Sequence, residues 1–269
     1  MTAPSPDTVL HLVARLSAVG VCLGSLELLS HAVSLRRPAG AGRPLYPVEK
    51  AAQWGSGAWH LGVPALVAAR LLLGALLLAD PGTGLYWKYY VVGLLLVSVL
   101  VSLLLSVTQG ADAQLTAITY SAMALTLFSD TPVAAGYCLW FLTLQLCLAY
   151  FAAGFHKLRS VAWRNGSALP GILAGRVFGF PAFGVWLGPH PLLAWSLCWA
   201  TIVWETTFPV VLLAPRPVCL GYLACGVLFH LGTAFTMGLN KFIWSFLALY
   251  PAAVYCTAGL PLFPWGRTF

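Results

Sequence analysis

Charge is what this sequence has least of. Among 269 residues, Lys and Arg supply 14 and Asp and Glu only 7, a charged fraction of 8%, against roughly 25% in soluble globular domains. So few charges cannot coat a water-soluble globule of this size. The patterns that announce familiar chemistries are missing too. None of the seven cysteines forms a C-x-x-C pair, which leaves thioredoxin-type exchange and a cysteine-based zinc site without support. There is no glycine-rich phosphate loop, no nucleophile elbow and no H-E-x-x-H, so nucleotide, serine-hydrolase and zinc-protease readings fall away. Six histidines are present, but no two share a helix at a spacing suited to stacked haems, and neither haem nor metal is expected.

What fills the chain instead is apolar. Hydrophobic residues make up 60% and the mean hydropathy is +0.86. Apolar runs lie at about 10–30, 60–79, 85–107, 113–129, 132–155, 185–213, 217–238 and 241–260, each near the roughly 20 residues that cross a hydrocarbon layer. The expected fold is therefore all-α, a polytopic transmembrane bundle of about eight spans in one integral-membrane domain over 1–269, with no separate soluble domain. The fourth run, LTAITYSAMALTLFSD, is short and hydroxyl-rich, which fits a tilted, re-entrant or internally packed helix. The first run lacks the basic flank and cleavage site of a secretory signal and is expected to remain as a span.

The net charge of +7 comes chiefly from two loops, with Arg36, Arg37, Arg43 and Lys50 in one and Lys157, Arg159, Arg164 and Arg176 in the other. Eight spans would put both loops on one face, cytoplasmic by the positive-inside rule. These cations sit against apolar segments rather than along a solvated stripe, so the partner they fit is the lipid bilayer and not a nucleic acid.

Ionisable residues inside the apolar runs form a second group. Glu205 lies in CWATIVWETTFPVVLL, where Pro209 frees backbone carbonyls beside the carboxylate. His230 lies in VLFHLGTAFTMGLNKF, with Thr233 on the same face. Glu27 and Arg70 interrupt the first and second runs. Each is too costly to face lipid. Each can be a packing hydrogen bond or ion pair, and together they also fit a polar cavity. Small-residue stretches such as Gly62 to Gly74 and Ala152 to Gly154 permit close helix contacts, within or between chains.

The segment Tyr150 to Leu169, YFAAGFHKLRSVAWRNGSAL, ends an apolar helix on His156-Lys157 and continues to Trp163, Gly166 and Leu169. A lysine there can simply snorkel to the headgroups. The arrangement also resembles the segment carrying the catalytic lysine of vitamin K-dependent gamma-carboxylase and its bacterial relatives, the HTTM (horizontally transferred transmembrane) proteins. The similarity runs over about 90–260, best at 148–172 and 204–251, where Phe229-His230 matches a Phe-His pair and Glu205 falls near an acidic residue.

The resemblance implies a carboxylase-like lyase or oxygenase in which Lys157 is the base acting on a reduced quinone, a vitamin K-like cofactor. His230 or His156 would relay a proton, and Arg159 and Arg164 would hold an anionic group. Trp163 with Phe151 or Phe155 would flank an aromatic ring. On one helix His156 and Lys157 point about 100° apart, so only one lines the pocket. A peptide substrate or a separate soluble partner protein is implied as well, in a bacterial inner membrane with the lysine on the exterior face, opposite to the charge rule. Where the carboxylases carry Asn-Asn-His, this chain reads Gly110-Ala111-Asp112. Asp112 supplies a polar group but not a neutral imidazole, and the large propeptide-capturing domain is missing, so gamma-carboxylation itself is not expected. The alternative is a non-enzymatic membrane subunit or chaperone that binds lipid or a partner protein.

Overall fold

A computed structural model of the protein describes residues 4–34, 56–82, 84–105, 110–129, 131–175 and 180–258. Among them there is no strand. The helices are α1 (Pro6–Ser34), α2 (Ser56–Ala79), α3 (Tyr86–Leu105), α4 (Ala111–Leu125), α5 (Pro132–Arg159), α6 (Val161–Arg164), α7 (Ala168–Ala174), α8 (Pro181–Leu187), α9 (Pro191–Thr207), α10 (Arg216–Met237), α11 (Asn240–Leu247) and α12 (Tyr250–Ala258).

Five of these, α1, α2, α3, α5 and α10, are long and apolar enough to cross a membrane. The other three expected runs are also helical but shorter, for local reasons. The α4 helix has 15 residues and tightens into a 3-10 turn over Thr126–Phe128. Two of its hydroxyls turn back on their own backbone, Thr119 to Leu115 O and Thr126 to Met123 O, so both threonines can be buried inside the bundle. The sixth run divides at Pro209, which has no N–H to continue the α ladder. Its α9 part stops at Thr207 and a 3-10 segment follows over Phe208–Leu212. The last run breaks between α11 and α12, with Pro251 in the first turn of α12, where proline is tolerated.

Burial separates an inner core from an outer coat. Leu10, Tyr120, Leu139, Leu142, Leu146 and Tyr150 belong to one central buried cluster. In α2, α3 and α10, by contrast, only 22% of the apolar window is buried within the protein, and Leu72, Leu96, Leu103, Leu228 and Phe235 point outward. An outward coat of this kind needs an apolar solvent. At one end of α1, Asp7 meets Lys88 at 3.7 Å and His11 meets Asp80 at 3.7 Å, while Glu27, further along, meets Lys241 at 3.3 Å.

The α5 helix organises the site. Pro132 sits in its first turn and His156, Lys157 and Arg159 in its last, the arrangement that the helix dipole favours. Its 28 residues rise about 42 Å, more than the roughly 30 Å hydrocarbon layer, a length sufficient to carry the basic end beyond such a layer. The segment after Lys157 folds as the short helices α6, α7 and α8, packed on Leu173, Leu187 and Ala194. Gly166 makes the turn into it with φ +84, where a Cβ would meet the Trp195 backbone. Arg36, Arg37, Arg43, Lys50 and Arg176 lie outside the described residues.

Two small-residue contacts lie within the chain. Gly74 faces Cys22 of α1, and Gly154 faces the α9 backbone, where an added Cβ would come 2.5 Å from Thr206 N and 2.8 Å from Glu205 Cβ. Replacing Gly154 by Val is expected to force α5 and α9 apart and to lower stability by about 1–3 kcal/mol. Gly136→Ala on the same helix, with nothing within 4 Å, is expected to stay within roughly 0.5 kcal/mol of the parent. Thermal melting of both variants in lipid-detergent micelles checks the contrast.

Candidate functional site

The close approach at Gly154 brings α9 antiparallel along one face of α5. Tyr150, Gly154 and Lys157 stand at i, i+4 and i+7 on that face. Opposite them, in reverse order, come Phe208, Thr206 and Glu205. Lys157 Nζ donates to both carboxylate oxygens, at 2.8 Å to Oε1 and 2.6 Å to Oε2 of Glu205. Glu205 is only 3% exposed and the lysine side chain 19%, so the carboxylate is the more deeply buried partner. The ammonium also lies 5.2 Å from the ring centre of Trp163 on α6, within cation–π range. Trp199 Nε1 donates to Arg164 O at 3.1 Å and ties α6 to α9.

Deeper in the bundle, the same α5 face carries a hydrogen-bonded aromatic array. Tyr150 Oη lies 2.8 Å from His230 Nε2 and 2.9 Å from Tyr250 Oη. All three residues are buried. Tyr150 packs edge-on to Trp204 at 4.9 Å and against Phe208 at 4.2 Å. The His230 ring stacks on Phe246 at 4.6 Å. Gly226, one turn before His230, lies against the Tyr250 hydroxyl. Two polar atoms here have no hydrogen-bond partner among the described residues, His230 Nδ1 and Thr206 Oγ1. Such atoms carry a desolvation penalty that a bound polar group relieves.

Of the residues singled out from the sequence, the structure therefore gathers Lys157, Glu205 and Trp163 directly, and His230 through Tyr150. His156 is exposed and turned from the pair. Arg159 is exposed and lies 5.8 Å from the Phe155 ring. Phe151 and Phe155 stack on each other on the outward side. The Arg164 side chain is exposed, its carbonyl being the part that is used. Asp112 does not join Lys157 but lines a separate cavity with Arg70. Sequence reasoning missed Tyr150, Tyr250 and Thr206. A tyrosine inside an apolar helix needs a partner for its hydroxyl, and Tyr150 stands two turns before Lys157, which was the available signal. Among the described residues no group of three or more His, Cys, Asp or Glu side chains could hold a metal ion.

No family model matches this chain, and no curated protein or solved structure matches it. The chemistry rests on the geometry itself.

Glu205→Gln leaves the Lys157 charge unmatched at a largely dry position, and is expected to destabilise the protein by on the order of 3 kcal/mol. Glu27→Gln acts on a pair whose side chains are 34% and 41% exposed, and is expected to change stability by at most about 1 kcal/mol. Melting temperatures of the two variants in one lipid composition test this ranking.

Proposed function

We propose that this is a multi-pass integral membrane protein of about eight spans that performs base chemistry with Lys157 on a membrane-borne substrate, in the manner of the HTTM and gamma-carboxylase proteins it resembles. The observation that carries this reading is the bidentate Lys157–Glu205 pair adjoining the buried Tyr150–His230–Tyr250 array. A purely snorkelling lysine needs neither a buried carboxylate nor a hydrogen-bonded chain behind it.

The pair offers a way to make a base without isolating a charge. Moving one proton from Nζ to Glu205 Oε2, along the 2.6 Å hydrogen bond, turns ammonium and carboxylate into amine and carboxylic acid. In a low-dielectric site this neutral form escapes much of the desolvation penalty of two ions. The amine then accepts a proton from the substrate, with the Trp163 face stabilising the ammonium that results. Tyr150 can receive a proton from Tyr250 and donate one to His230 Nε2, or the reverse, which gives the site a second route for a proton.

A reduced quinone fits these residues in kind. Trp163 and Trp204 present aromatic faces, and Thr206 Oγ1 and His230 Nδ1 have unspent hydrogen-bonding capacity among the described residues. Those four would hold its ring and oxygens, with the Lys157 amine accepting a hydrogen bond from one quinol hydroxyl, and the bound quinol would supply a weakly acidic hydroxyl and two electrons. A peptide is the second substrate that the resemblance suggests, and a bacterial inner membrane the location.

One observation favours a second reading, a non-enzymatic membrane subunit or chaperone: the same ion pair pins α5 to α9, a structural duty in its own right. Lys157→Arg separates the two, because a guanidinium keeps a bidentate carboxylate pair but never becomes a neutral base. The expected result, with wild type and variant purified in native lipid and equally folded, is a co-purifying quinone found by mass spectrometry in the wild type and lost in the variant. No quinone in either folded protein would transfer the function to the non-enzymatic reading.

A further inference from the structure

The second pair of ionisable residues noted in the sequence, Glu27 and Arg70, belongs to a different part of the bundle. A cavity of about 110 Å³ opens between α1, α2, α3, α4 and α11. A water requires roughly 10–15 Å³ of such space, so the cavity holds more than a single water and has room for a small polar group. Its wall is hydroxyl-rich for a chain so apolar: Ser98 and Ser102 from α3, Thr116 from α4 and Ser245 from α11, with Arg70 from α2 and Lys241 at one edge.

Most of these groups are already engaged. Ser102 Oγ donates to Ser98 O at 2.8 Å, Thr116 and Ser245 hydroxyls meet at 3.2 Å, and Lys241 pairs with Glu27 at 3.3 Å. Asp112, in the first turn of α4, lies back over Gly110, where the helix N-terminus favours a carboxylate. Among the described residues no salt bridge joins it to Arg70. Three buried atoms of the lining then remain without a partner among the described residues, Arg70 Nε, Ser98 Oγ and Tyr120 Oη. All three can donate, and one belongs to a permanent cation. A guanidinium within the span of an apolar helix calls for a counter-anion.

We propose that this cavity is a second site, distinct from the Lys157 pair, that binds an oxyanion, a phosphate or carboxylate group, through Arg70 and Ser98. Arg70 supplies charge and a planar set of N–H donors, a geometry suited to oxyanions. Ser98 adds a neutral donor from the neighbouring helix. Lys241, held by Glu27 at the edge, makes approach of an anion favourable without occupying the interior. The same chemistry serves a phospholipid headgroup or a free anion.

The test uses the full chain, delipidated in neutral detergent and followed by thermal melting. One arm titrates phosphatidylglycerol in mixed micelles against uncharged diacylglycerol, and the other titrates inorganic phosphate. The wild type is expected to show saturable stabilisation. Arg70→Gln is expected to weaken it about tenfold or more, and Ser98→Ala several-fold, as loss of a charge-assisted and a neutral hydrogen bond requires. A response to the lipid alone identifies a headgroup site, and a response to inorganic phosphate identifies a free-anion site. Absence of any saturable response in the wild type overturns the proposal, as does an Arg70→Gln protein that responds like the wild type. Should Arg70→Gln fail to fold, Ser98→Ala decides, and an undiminished response there overturns the proposal equally.

Discussion

A charge pair in an apolar bundle is useful only if its partners are held at hydrogen-bonding distance, because the desolvation of each ion is repaid by nothing else. Here that distance is set by a backbone contact. Gly154 lets α9 approach α5 until Thr206 N and Glu205 Cβ occupy the space a side chain would take. Lys157, one turn further along α5, then meets both oxygens of Glu205. Tyr150, one turn earlier, meets Phe208 and Trp204. The site follows from that approach, and the break in the helix at Pro209 comes immediately after it.

The α11 helix divides the polar interior in two. Phe242 and Phe246, four residues apart, stack on one another, and Phe246 covers His230. Lys241 and Ser245, also four apart, line the cavity that holds Arg70. Two faces of a single eight-residue helix thus serve two compartments, one aromatic with the hydrogen-bonded Tyr150–His230–Tyr250 array, the other rich in donors. Glu27 and Lys241 close part of the second compartment, so the ionisable residues of the first run and the last are joined in one pair.

Much of this was legible in the sequence, and the limits have physical causes. Helical class and apolar runs followed from composition, since an apolar stretch of this length has few ways to bury its backbone other than a helix. The number of membrane-length helices was harder to read, because hydropathy registers apolar content and not whether a helix breaks at Pro209 or between α11 and α12. Lys157, Glu205 and His230 stood out as ionisable residues in apolar surroundings. Their pairing did not, because contacts between residues 48 and 80 apart along the chain leave no trace in local spacing. Tyr150 and Tyr250 passed as ordinary aromatic residues for the same reason. Asp112 was read with the lysine and stands instead with Arg70, a difference that only the packing of α4 against α11 and α3 reveals.

Under the proposed function, Lys157 and Glu205 do two things at once, pinning α5 to α9 and providing a base at one defined end of the pair. Exchanging them, Lys157→Glu with Glu205→Lys, keeps the pair and reverses its ends. Melting temperature and bound quinone, measured together on this doubly substituted protein in native lipid, test both halves. The expected result is a melting temperature well above that of Glu205→Gln and no retained quinone. A protein that keeps its quinone, or one that melts as low as the single substitution, would contradict it.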